Sequence, residues 1–438
     1  MLNKVLSVRW LIGLLIISAA VIFVWSNEKL DRVPAVPEEL RKHAKVFGLE
    51  NIRAYPDQID LIKQRHKESL NREIKFYGIG PNNTLLPASV LTLSGGGDNG
   101  AFSAGLLAGW TAHGGRPTFM RVTGISTGAL IAPFAFLGSD YDKTVTQLYT
   151  EIDATKVFKK RFLPLAATIQ DALSDTDPLY KTISKFVNQD LLDLIAIERD
   201  KGRLLVIQTA DIDAGAPVYW DITEIAASKH PNAVELIRKI LLASASIPLA
   251  FPPVFFEVEA EGNKYHEMHV DGGAVYQAFY EPAQYNSRLA LQEFGFQRPL
   301  LNVYEIRNAR VHPDWSDTKR HSLTIAQKAV SMLISYNGYG DLYRIYLKTL
   351  GEGYIFNIAY IKDDFQAEHK DDFDPNYMKA LYDYGYQKGL KGYSWEHTPP
   401  GISPITIQKE PQNISQAPVQ IKEEPKHILK TKKHIHKN

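Results

Sequence analysis

The densest apolar run lies at the start of the chain: Lys4 and Arg9 precede sixteen residues, Trp10 to Trp25, that carry no charge. A basic segment followed by an apolar one is the arrangement of a signal peptide or signal anchor. The run is a little short of the roughly 20 residues that span a bilayer, but Val5 to Val8 can lengthen it and Trp10 and Trp25 suit the two interfaces. An uncleaved anchor and a cleaved signal therefore both fit residues 1–26. Positive charge before the run, against a balanced Glu28, Lys29, Asp31 and Arg32 after it, puts the amino terminus in the cytoplasm and the remaining body on the non-cytoplasmic side.

Residues 27–87 are charged and interrupted by Pro34, Pro37 and Pro56, with one amphipathic stretch near 56–70, so they read as a peripheral arm laid on the body. From Ser89 the period changes. Val90-Leu91-Thr92-Leu93-Ser94 predicts a strand, a glycine-rich loop follows, and residues 101–110 predict a helix of small residues. A second strand-loop-helix unit centres on Ser126, between Phe119, Met120 and Val122 before it and Ala129 to Ala132 after it. Residues 203–209 predict a third strand. This alternation implies a mainly parallel sheet covered by helices, hence an α/β fold. Apolar residues recur at helical spacing between Tyr141 and Arg199, broken by Pro164 and Pro178, and again over residues 233–246. Strands are expected at 251–256, at Met268 to Val270 and at 299–306, then a long tyrosine-rich helical region over 322–350. The globular body closes near Trp395. The tail 401–438 is rich in lysine and proline with few large apolar residues, which predicts disorder.

Composition narrows the chemistry. In 438 residues there is no cysteine, which removes disulfides, thiolate metal sites and a cysteine nucleophile. A net charge of +1 gives no reason to expect nucleic acid, and no feature identifies a protein partner.

Gly124-Ile125-Ser126-Thr127-Gly128 is a G-x-S-x-G between a strand and a helix, where small flanking residues permit a tight turn that lifts the serine oxygen out of the sheet. One unit earlier, Gly95-Gly96-Gly97-Asp98-Asn99-Gly100 also joins a strand to a helix, so its backbone N–H groups can converge on an anion. Gly95, Gly97 and Gly100 satisfy the dinucleotide fingerprint G-x-G-x-x-G, but no Asp or Glu about 20 positions on supports it. The oxyanion of an acyl-transfer intermediate is the better match. A glycine turn with no ligand is the remaining reading.

The serine needs a base. His230, His312, His321, His397, His427, His434 and His436 sit in polar turns, at a helix start or at and beyond the domain end. Asp271-Gly272-Gly273 instead follows a strand, and the two glycines let another group approach the carboxylate. An aspartate can serve only if it bonds the serine directly in a site that raises its pKa, so burial of Asp271 is required. His266 and His269 point to opposite faces of a strand and make a poor metal pair; His269 shares a face with Asp271. Asp211 and Asp213 read as turn residues. Ala243 to Pro248 read as small residues beside the site or as a helix end packed under the loop.

Taken together, Ser94 to Phe102, Gly124 to Gly128 and Asp271 to Gly273 resemble the three ordered motifs of the patatin-like phospholipases, over residues 88–310 and on to Trp395 as in bacterial members. The resemblance implies a three-layer α/β/α fold, with residues 88–310 as catalytic core and 311–400 as a helical part of the same body. It implies a Ser-Asp dyad, with Ser126 as nucleophile, Asp271 as base and the backbone of Gly95, Gly96 and Gly97 as oxyanion hole. Gly124, Gly128, Gly272 and Gly273 shape the turns around them. The expected reaction is hydrolysis of phospholipid or another acyl-ester lipid at a membrane surface, with no cofactor and no metal. Asp98 stands where many members carry Arg or Lys, which removes a cation that would steer phosphate but leaves the backbone donors. Two rivals make distinct demands. An α/β-hydrolase esterase with a Ser-His-Asp triad needs a late histidine such as His312. A non-catalytic membrane-anchored scaffold would tolerate loss of Ser126, Asp271 or the glycines, and none is lost.

Overall fold

Ala88–Leu93 (β1) is buried at every position, the pattern of a strand covered on both faces, and in the computed structural model it lies within a ten-stranded sheet. The structure describes residues 32–160, 172, 174–311 and 317–402. In chain order the sheet continues with Arg121–Gly124 (β2), Leu204–Asp211 (β3), Ala216–Asp221 (β4), Val254–Ala260 (β5), Asn263–Asp271 (β6), Leu301–Arg307 (β7) and Ile355–Tyr360 (β8). Lys45–Val46 pairs with β5 and Arg53–Ala54 with β4, so residues ahead of β1 extend the sheet in two places.

The strands β3, β2, β1, β7 and β8 lie side by side in that order and run parallel. The rest of the sheet is antiparallel. The hairpin of β5 and β6 turns through Glu261 and Gly262, whose positive φ values of 50° and 77° suit a two-residue connection. Helices flank this mixed sheet as the outer layers of a three-layer α/β/α fold.

Register places the chemistry. Residues 206–211 of β3 pair with β4 along one edge, so β2 and β6 must share the other. Strand β2 runs parallel to β3 and ends with Gly124 opposite Ile207. Strand β6 arrives from the opposite direction and ends with Asp271 opposite Thr209. Two chain ends thus meet over β3, one entering the G-x-S-x-G turn and the other leaving through Asp271-Gly272-Gly273.

The helices used below are Gly100–His113 (α1), Thr127–Leu137 (α2), Ala233–Ser244 (α3), Ser322–Gly351 (α4) and Pro375–Leu390 (α5). Helix α1 is buried around most of its circumference. It meets α5 backbone to backbone: Gly105 and Gly109 lie against the main chain of Tyr382 and Tyr386, and Gly385 and Gly389 against that of Phe102 and Leu106. Side chains at those four positions would force the helices apart, which loosens the loop at the start of α1. Residues 311–400, read from the sequence as helical, include β8, a strand of the central sheet whose six residues, with Asn357 among them, make too short an apolar run to stand out. Apart from 401 and 402, the tail 401–438 lies outside the described residues, as does the apolar segment 1–26; no described helix is long and apolar enough to cross a membrane.

Candidate active site

Ser126 sits between β2 and α2 with φ 55° and ψ −125°, a conformation few non-glycine residues adopt and one that turns its side chain out of the sheet. The turn is tight enough that a Cβ on Gly124 would lie 2.5 Å from the carbonyl oxygen of Gly128, while one on Gly128 would run into that of Leu93. The end of α3 fastens the turn from below. The Ser126 N–H donates to Ser244 Oγ at 3.0 Å, and Ser244 Oγ in turn donates to the carbonyl of Gln208 at 2.7 Å.

The Ser126 side chain lies close enough to the Asp271 carboxylate to lower its pKa, and both border the same cleft. Asp271 Oδ1 also accepts the N–H of Gly273 at 2.7 Å, and the Asp271 N–H donates to the carbonyl of Ser246 at 2.8 Å. The carboxylate is fully buried. Burial pushes its pKa up to about 7, with the nearby Ser126 side chain and the bond from Gly273 opposing the shift. Gly272 packs on the carbonyl of Gln208, which brings the turn after Asp271 against β3.

The glycine loop separates the three residues grouped together in the sequence. Gly95 donates its N–H to the carbonyl of Gln277 at 2.9 Å, so that N–H is committed and drops out of the donor set. Gly96, at φ 155°, presses against Asn308, and Gly97, at φ 60°, opens the short helix Gly97–Asn99. The N–H groups of Gly96 and Gly97 donate to nothing among the described residues. Asn308 clamps the loop: its Nδ2 donates to the carbonyl of Ser94 at 2.9 Å and its Oδ1 accepts the N–H of Ser103 at 3.3 Å. Asp98 accepts from His369 Nε2 at 2.7 Å and from the N–H of Phe373 at 2.9 Å, and the His369 partnership raises the imidazole pKa.

Two cavities meet at Ser126. One is apolar and encloses about 820 Å³, open mouth included, between Leu130, Phe134, Ile183, Phe186, Leu241 and Met378. The other is a wider and more polar cleft reaching Asp271, Gln277, Arg307, Asn308, Arg310 and the first half of α4. Gly97, Ser126, Ile247, Phe251 and Phe373 border both. A serine beside a buried carboxylate, with two free backbone donors and an apolar pocket, has the parts for acyl transfer from a lipid ester.

Residues 91–283 match the family described as patatin-like phospholipase. The chain carries a patatin-like phospholipase domain. The family hydrolyses lipid acyl esters, and the matched segment runs from β1 past Asp271. The chain is also similar to VipD from Legionella pneumophila, at 12% identity over 72% of this chain and 67% of that one, with a TM-score of 0.32, too low to bear on fold or function. No curated protein matches it.

The remaining candidates are dispersed. His269 is buried against Trp220 and Phe256, with Nδ1 on Thr209 Oγ1 at 2.8 Å, and does not bond Asp271. His266 lies on the other face, near Phe255. His230 stacks near Phe47, His321 is exposed, and His397 bonds the carbonyl of Phe356; His312, His427, His434 and His436 lie outside the described residues. Ligand atoms of Asp211, Glu267 and His269 fall within 4.8 Å of one another, but Arg53 Nη2 is bonded to Glu267 Oε1 at 2.7 Å and supplies the positive charge there. Asp211 Oδ1 accepts the N–H groups of Asp213 and Ala214, a local turn. Sequence reasoning missed Gln277, Asn308 and His369 and left Ser244 undecided. Their roles depend on long-range contacts; only the small-residue run at 243–246 offered a signal.

Proposed function

We propose that this chain is a serine-aspartate lipid acyl hydrolase of the phospholipase A or lysophospholipase type. Ser126 Oγ attacks the ester carbonyl as Asp271 takes its proton, and the N–H groups of Gly96 and Gly97 receive the oxyanion. The acyl-enzyme forms as the C–O bond breaks and Asp271 returns the proton to the departing alcohol. Water then attacks the acyl carbon, Asp271 takes the water's proton, and Ser126 regains its own as the fatty acid leaves. The observation that carries this reading is the buried Ser126–Asp271 pair at the junction of an apolar and a more polar cavity. The apolar cavity suits the acyl chain and the polar cleft the alcohol half.

A membrane surface is the proposed site of action. Among the described side chains of residues 322–337 of helix α4 none is buried, and Ile325, Met332, Leu333 and Tyr336 are each more than half exposed while Val330 and Ile334 line the cleft. An apolar face bordering the cleft suits insertion at a lipid interface. The apolar run Trp10 to Trp25 after Lys4 and Arg9 supports attachment or export, with the body on the non-cytoplasmic side. Full-length protein assayed on short-chain phospholipid and neutral acyl ester, beside Ser126→Ala and Asp271→Asn, tests the proposal. Release of fatty acid by the parent alone supports it; equal release by Ser126→Ala removes it.

A further inference from the structure

We propose that Arg307 is the phosphate-binding residue of the polar cleft, its guanidinium pairing with the phosphodiester of a glycerophospholipid. This rests on the hydrolase reading above and assigns the alcohol half of the substrate. Arg307 ends β7 and is 3% exposed. Its Nε is buried without a partner, and among the described residues neither Nη has a hydrogen bond or ion pair. A buried guanidinium without an acceptor is unfavourable unless something else brings the anion.

The nearby carboxyls do not bring it. Asp341 spends Oδ1 on Arg344, whose Nε lies at 3.1 Å, and Oδ2 on the N–H groups of Gln277 at 2.6 Å and Ala278 at 3.4 Å. Glu305, two residues back along β7, has both oxygens buried and unpartnered, and burial raises its pKa against the pull of Arg307. No carboxylate is hydrogen-bonded to Arg307, and the fields of Glu305 and Asp341 fall short of offsetting the cost of burying its charge.

Its position fits a group attached to the scissile ester. A Cβ placed on Gly338 of α4 would lie 2.7 Å from Arg307 Nη1 and 2.9 Å from Gln277 Cβ, so the two side chains rest on one spot. The Gln277 amide reaches Gly95, where a Cβ would lie 3.3 Å from Ser126 Cβ. Arg307 is thus one side chain removed from the nucleophile, on the cleft side and away from the apolar cavity. The other cations on this cleft are engaged: Arg310 holds the carbonyls of Lys362 and Phe365, and His369 holds Asp98. A planar guanidinium matches two oxygens of a phosphodiester or a carboxylate. The phosphodiester is the assignment because an acyl carboxyl belongs at Ser126, not beyond Gln277.

The test compares kcat/KM of the full-length protein on dihexanoyl phosphatidylcholine and on dihexanoylglycerol, which lacks phosphate, for the parent, Arg307→Lys and Arg307→Met. The phospholipid-to-neutral ratio is expected to fall about 10- to 100-fold in Arg307→Met, the range for losing a charge-assisted pair, and less in Arg307→Lys. A ratio within about twofold of the parent overturns the assignment. Calorimetry with glycerophosphocholine needs neither turnover nor a stable variant. Binding by the parent, undiminished by hexanoate, supports a phosphodiester site; no binding, or full displacement by hexanoate, overturns it. Absence of turnover on both esters with glycerophosphocholine still bound would sink the hydrolase reading and leave the anion site standing.

Discussion

Ser126 and Asp271 are neighbours because β2 and β6 run in opposite directions into one edge of β3 and end two residues apart along it, opposite Ile207 and Thr209. The antiparallel arrival of β6 is the decisive element. It brings a strand-end carboxylate to a strand-end serine, and burial at that seam gives an aspartate a pKa near that of histidine.

The pH dependence follows from that burial. Asp271 must be ionised to accept a proton, so kcat/KM on a neutral short-chain ester should rise with pH through a midpoint near 7. The stability sign is opposite. A carboxyl whose folded pKa is raised from 3.8 to about 7 favours the folded state below pH 4, and that contribution is lost as pH rises toward 7. Asp271→Asn removes the penalty, so its melting temperature relative to the parent should increase between pH 5 and pH 9. A difference that is flat with pH would place the carboxylate in water.

Gly96→Ala should disable the oxyanion loop, because the added methyl would run into the carbonyl of Asn308. Loss of backbone donor geometry costs about 10²–10³ in kcat at other oxyanion sites, and a similar loss is expected here, beside a lowered melting temperature from the strain. A kcat within threefold of the parent would remove the Gly96 N–H from the mechanism.

Ser244→Ala leaves the N–H of Ser126 without its acceptor. A buried unpaired donor costs about 1–3 kcal/mol, so the turn should loosen, kcat should fall roughly 10-fold or more, and KM should change little. Steady-state kinetics on a soluble ester separate the two constants.

Much of this was legible from local chemistry. Strand-loop-helix alternation around Gly95 and Ser126 points to an α/β sheet, and a serine, a glycine loop and a strand-end aspartate in that order point to one site. What was not legible depends on distant partners. Nothing local to Gln277 says that its carbonyl takes the Gly95 N–H, and nothing at Asn308 says that it clamps Ser94 and Ser103. Gly105, Gly109, Gly385 and Gly389 repeat at a spacing of four, but their meaning appears only once α1 and α5 touch. Strand β4 was hidden because Pro217 and the Asp-Ala-Gly turn before it read as loop.

The exposed face of α4 carries a prediction about membranes. Met332→Glu with Leu333→Glu removes two apolar side chains worth about 1.5–3 kcal/mol each when buried in lipid. Sedimentation with phosphatidylglycerol vesicles should show at least a 10-fold weaker partition, and the ratio of vesicle to monomeric-substrate hydrolysis should fall with it. Equal partition would assign that face another role.

The central claim is that Ser126 is the nucleophile and Asp271 its base. Intact-mass and peptide mapping after exposure to a fluorophosphonate tests it directly. The account predicts one adduct, on Ser126, absent from Ser126→Ala and formed at least 100-fold more slowly in Asp271→Asn at pH 8. An adduct on another residue, or labelling of Asp271→Asn at the parent rate, would contradict it.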